Sequence, residues 1–159
     1  MELGDLQRDS VRLASLPPPA PEGFDTGAFA WAQGALEAKR RRAAGHLLPR
    51  LRNSLGVQAW VNLFHEHIAT YTPAGMLHHV DDAWAFAESI ERTTLHPDVH
   101  LAAQDDLVSL RLRYVRDPKQ KAFRIRERRG PLLAMLHTPQ RAMVVKLPGT
   151  PGRLWYVRV

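Results

Sequence analysis

Near Asp117-Pro118 the hydrophobic pattern of this chain changes period, and that change limits what the chain can fold into. Before it, apolar residues recur three and four apart. Ala83, Phe86, Ala87 and Ile90 fit i, i+3, i+4, i+7, and Trp60, Val61, Phe64 and Ile68 lie close to an i, i+4, i+8 stripe. After it, Phe123 and Ile125 alternate with Arg124, Arg126 and Arg128, the two-residue period of a strand with one wet face.

Helical expectations fill the first part of the chain. Asp5 to Leu16 reads as a short helix, stopped by the proline-rich connector PPPAPEG at 17–23. A long helix opens near Asp25 or Thr26, with Phe29, Ala32, Leu36 and Ala43 at spacings compatible with one apolar face. KRRR (39–42) falls near its C-terminal end, where cations suit the helix dipole, and Gly45 interrupts it. In LLPRLRNSLG (47–56), Pro49 suits a first turn and Gly56 a C′ position. Val57 to Tyr71 follows as a helix, Asp81 or Asp82 caps the next, and a fifth starts around Pro97 and runs through Leu112.

Turns at Gly130-Pro131, Thr138-Pro139 and PGTPG (148–152) separate four short strand-like stretches, the last being RLWYVRV. The expected fold class is α+β, an N-terminal helical domain at 1–116 followed by a small, basic antiparallel β-meander at 117–159.

Charge follows the same division. From Arg111 to Val159 there are 13 Lys and Arg against Asp117 and Glu127, a net of +11; residues 1–110 carry 9 basic and 14 acidic residues, a net of −5, and the two sum to +6. Such polarity suggests an acidic partner for the basic half, or the two halves packing on each other. The chain of 159 residues has no cysteine, which excludes disulfides, thiolate metal sites and thiol nucleophiles and fits a reducing cytoplasm. No apolar run approaches the length of a membrane span, and the amphipathic, acid-containing start reads as neither a signal nor a transit peptide. A soluble, cytoplasmic protein is expected.

No catalytic or metal-ligating set emerges. His65 and His67 are two apart on an expected helix and point to different faces, and FHEH is not HExxH. HHVDD (78–82) gathers two histidines and two aspartates, but Asp before an apolar helix commonly caps it. His96 precedes Pro97, which disfavours a helical pairing with His100. Asp81-Asp82 and Asp105-Asp106 are adjacent acids that splay apart on a helix and read as surface or capping residues. No glycine-rich phosphate loop or nucleophile elbow is present. The chain is not expected to be an enzyme by itself.

Two binding readings stay open. A basic β-ribbon or a winged helix with its wing at 121–136 would engage nucleic acid, though no helix gathers base-reading Arg, Asn and Gln on one face. Alternatively, a sheet edge would take an extended peptide as a further strand, with flanking arginines selecting an acidic one. Arginine on a short edge strand also guards against aggregation without binding anything. Trp60, Phe64, Trp84 and Phe86 offer a docking face only if they escape the burial usual for aromatics at helical spacing.

Taken in order, PPPAPEGFD (17–25), KRRRA (39–43), LLPRLRNSLG (47–56), LFHEHIATYTP (64–73) and DDAWAFAESIE (81–91) resemble a family of small bacterial proteins, the partners of multinuclear non-haem iron oxidative enzymes that modify ribosomally made peptides. The likeness rests on Gly23-Phe24-Asp25, Lys39-Arg40, Leu55-Gly56 and the aromatic Trp84 to Phe86 helix, and covers about half of the chain. It implies a non-catalytic subunit, a helical region with a C-terminal β-region, that binds the leader of a precursor peptide and docks it on the enzyme as a heterodimer. No cofactor would reside in this chain, the iron belonging to the partner enzyme. Leader peptides are often acidic, which would give the arginine row a purpose. Charge and alternation make Phe123, Arg124, Arg126, Arg128, Trp155 and Tyr156 the candidate peptide-binding residues.

Overall fold

The computed structural model describes Gly23, residues 25–73, 77–93 and 96–116, with side chains through 115, and the backbone of 125–127, 132–135, 142–146 and 155–158. Four helices build the body: α1 (Thr26–Leu47), α2 (Pro49–Thr70), α3 (His78–Glu91) and α4 (Pro97–Arg113). Asp25 caps α1, its Oδ1 accepting from the Ala28 N–H at 2.6 Å. Leu48, fully buried, is both the C-cap of α1 and the N-cap of α2, and Pro49 opens α2 where its missing N–H costs nothing.

Gly56 lies within α2 at φ 73°, ψ 172°, a conformation nearly restricted to glycine, and there the helix kinks. Two helical segments meeting at Gly56 were expected, and this kink is their junction. α3 begins at His78 with Leu77 as its N-cap, so Asp81 and Asp82 lie inside the helix instead of capping it. His96 caps α4 and Pro97 follows it. The expected helix at 5–16 lies outside the described residues.

α3 is the central element, packed against α1 and α4, while α4 also packs on α2. Every residue from Val80 to Ala87 is buried, the mark of a helix covered on all sides. Trp60, Phe64 and Phe86 form the aromatic centre: Trp60 stacks on Phe64 at 5.6 Å, and Phe86 meets them edge-on at 5.2 and 5.0 Å. Leu48, Leu51, Leu107 and Leu110 fill around them. Trp84 is buried too, so the four aromatics considered as a docking face are core residues. On α1 the inward face holds Phe29 and Ala44 but not Ala32, which is exposed.

The expected α+β class is corrected: the described fold is mostly helical. Past α4 the backbone runs in extended segments of three to five residues, β1 (Tyr114–Arg116), β2 (Ile125–Glu127), β3 (Leu132–Met135), β4 (Ala142–Lys146) and β5 (Trp155–Arg158). They pair locally, β1 with β2 and β4 between β3 and β5. An α+β fold needs a sheet face as one wall of its core. Among the residues whose side chains are described, every buried apolar one lies on a helix or at the Leu48 joint, so the core they form is helix packed on helix. The two-residue alternation specified extended backbone at Ile125–Glu127; it did not specify a layer. Most of the 117–159 segment lies outside the described residues.

Candidate functional site

Among the described residues, the most concentrated polar arrangement is inside the helical body, where α1, α2 and α3 meet. α3 turns Asp82 into the interior at 1% exposure, and α1 brings Arg40 to it. The guanidinium grips the carboxylate with both arms: Arg40 Nε donates to Oδ2 at 2.8 Å and Nη2 to Oδ1 at 2.8 Å. Nη2 also donates to the Tyr71 carbonyl at 3.0 Å, tying the end of α2 into the same joint. His67 Nε2 lies 3.1 Å from Asp82 Oδ1, and its ring stacks on Tyr71 at 5.0 Å. The Tyr71 hydroxyl donates to Asp81 Oδ2 at 2.7 Å. Burial pushes the Asp82 carboxyl up, but hydrogen bonds and charge from Arg40 and His67 outweigh it and hold the group below the usual carboxylate value.

A second buried acid reaches across the body from α4. Leu48 offers α2 no side-chain cap. Asp106 supplies one: its Oδ2 accepts from the Leu51 N–H at 2.9 Å and its Oδ1 from Arg50 Nη1 at 3.2 Å. Burial still dominates and pushes the Asp106 carboxyl up to about 6, against the pull of Leu51 and Arg50. Asp105 is buried as well. Both adjacent acid pairs, expected on the surface or at caps, are therefore corrected to interior residues.

This arrangement orients helices; it does not present a reactive group. His67 is 8% exposed and faces a carboxylate already gripped by arginine, so a substrate would have to displace core aromatics to reach it. His65, on the other side of α2, meets Glu37 at 3.0 Å, and Glu37 also accepts from Arg41 at 2.9 Å. His78 and His79 are exposed while Asp81 and Asp82 face inward, so the HHVDD residues diverge. Among the described residues no three His, Asp or Glu side chains come together as a metal site, and no helix is long and apolar enough to cross a membrane.

Of the candidate peptide-binding residues, Phe123, Arg124 and Arg128 lie outside the described residues. Arg126, Trp155 and Tyr156 are described in backbone alone, opposite Val115, Val145 and Val144 respectively. The residues that sequence reasoning missed are Arg40, Tyr71 and the inward acids. A usable signal was there: Asp81-Asp82 and Asp105-Asp106 sit in helices whose neighbouring residues are almost all apolar, where an acid must bring a partner inside.

No curated protein and no solved structure matches the chain. A family model described as SCO6045-like, C-terminal domain, matches residues 13–92, which is half of the 159-residue chain. That span contains α1, α2 and α3 entire, with every member of the Arg40–Asp82 joint, and the chain belongs to the SCO6045-like family.

Proposed function

We propose that this chain is a non-catalytic partner subunit: it binds the leader of a ribosomally made precursor peptide and docks it on a multinuclear non-haem iron oxidative enzyme. The observation that carries this reading is the basic excess of the C-terminal part, where 13 Lys and Arg from Arg111 onward meet two acids, while four acids of the preceding half are buried. Asp81, Asp82, Asp105 and Asp106 are turned into the helical body, with Asp82 and Asp106 committed to Arg40, His67, Arg50 and the start of α2. Asp82 and Asp106 have their charges balanced within the body, and the +11 of the segment from Arg111 onward favours an acidic partner. The likeness to such partner proteins adds support, since its motif residues hold the fold together: Asp25 caps α1, Arg40 binds Asp82, and Gly56 makes the kink.

The test is co-purification of the tagged chain expressed with its neighbouring genes. An iron-containing enzyme retained with or without a short acidic peptide is the expected result. Nucleic acid released by salt, with no protein partner, would replace the proposal with a nucleic-acid surface. For the peptide step, Arg124→Ala with Arg126→Ala is expected to weaken capture of the acidic leader by about tenfold or more, measured by fluorescence anisotropy. Unchanged affinity with an unchanged fold would remove these arginines from the site.

A further inference from the structure

One face of α1 is used by nothing described in the fold. Successive helical residues step by about 100°, so Ala28, Trp31, Ala32, Ala35, Lys39, Arg42 and His46 fall within one stripe about 100° wide. All seven are exposed, and Trp31 is 78% exposed, the more unusual for being an indole. The inward residues Arg40 and Arg41 are taken by Asp82 and Glu37, so the KRRR run is divided: two arginines are engaged, while Lys39 and Arg42 stand in the stripe.

The stripe is polar in one direction. Its N-terminal half is apolar and aromatic and begins beside the exposed acid Asp25; its C-terminal half is basic, with Lys39, Arg42 and His46. We propose that this face is a dimer surface, on which a second copy of the chain lays the same stripe antiparallel, with Ala35 at the twofold axis. In that register positions summing to 70 face each other. Trp31 of one copy meets Lys39 of the other, a cation over an indole face, and Ala28 meets Arg42. Asp25 comes within a turn of the other copy's Arg42 and His46, so the opposed charges attract at both ends. A parallel pairing stacks the basic halves on each other and lacks all of these contacts. The opposed helix dipoles favour the antiparallel arrangement too. Such an isologous patch is self-complementary, as a twofold dimer requires. One helix pair is a small interface, so the dimer is weak and reversible, in the micromolar range.

The proposal does not depend on the partner-subunit reading and is tested on the full chain alone. Sedimentation velocity over a rising concentration series is expected to show a monomer–dimer equilibrium. Trp31→Ala is expected to raise its dissociation constant at least tenfold with an unchanged circular dichroism spectrum. A chain without cysteine allows the register itself to be read. Ala35→Cys is expected to form a disulfide between copies on mild oxidation. Ala28→Cys is not, because its two thiols would lie about 21 Å apart along the axis. Adding Arg42→Cys to Ala28→Cys is expected to restore the cross-link. A monomer at every concentration, a dimer indifferent to Trp31→Ala, or equal cross-linking of the single variants at 28 and 35 would each overturn the proposal.

Discussion

Arg40 grips Asp82 where the carboxylate, fully buried, has no water to fall back on. Removing the cation leaves a buried carboxylate uncompensated, so Arg40→Ala is expected to destabilise the fold by about 3 kcal/mol in urea denaturation. Arg41→Ala, which loses only a half-buried i, i+4 pair with Glu37, is expected to cost less than about 0.5 kcal/mol. The two buried acids have opposite pH signatures. Asp82 sits below its ordinary value, so its contribution is present above that value and disappears as the pH falls through the folded-state pKa. Asp106, raised to about 6, contributes fully below the ordinary carboxylate value and loses that contribution as the pH rises through about 6. Asp106→Asn keeps an acceptor for the Leu51 N–H. Its stability relative to the parent is therefore expected to improve steadily between about pH 4 and 6, measured by denaturation across that range. A flat difference would mean that Asp106 stays ionised in the fold.

Among the elements, α2 is the one whose shape rests on a single residue. Gly56 occupies a backbone conformation that side chains rarely adopt, and a methyl group there would meet nothing within 4 Å. The penalty for Gly56→Ala is thus one of backbone conformation alone, about 1–3 kcal/mol, read as a lower urea midpoint with unchanged helicity. Locally encoded features of this kind were legible in the sequence. Pro49 and Gly56 mark the ends of the first half of α2 by their own chemistry, and Trp60, Phe64, Phe86 and Ile90 declare buried faces by spacing. What could not be read depends on distant pairings. Asp82 finds Arg40 42 residues away and Asp106 finds Leu51 55 residues away. No local pattern states that an acid in mid-helix has such a partner, and the capping rule gave Asp81 or Asp82 a plausible but incorrect place. The fold class was misjudged for a related reason. Alternation in a short basic stretch is a statement about backbone, whereas a fold class is a statement about what walls the core.

At the scale of the molecule, the helical body buries four of its acids, Asp81, Asp82, Asp105 and Asp106, while the segment from Arg111 carries 13 of the 22 basic residues. If that segment captures an acidic peptide, affinity is expected to fall steeply with added salt, whereas the unfolding midpoint, which rests on buried pairs, should move far less. Titration of both between low and high ionic strength separates binding charge from structural charge; equal salt sensitivity would mean that they are the same groups. The Asp106 cap has a consequence of another kind, for the order in which the chain folds. Because the start of α2 is closed by a carboxylate 55 residues downstream, its first turn cannot be secured until α4 has arrived. The Leu51 amide should then be among the last in α2 to gain protection from hydrogen exchange during refolding, and the first to lose it when Asp106 is removed.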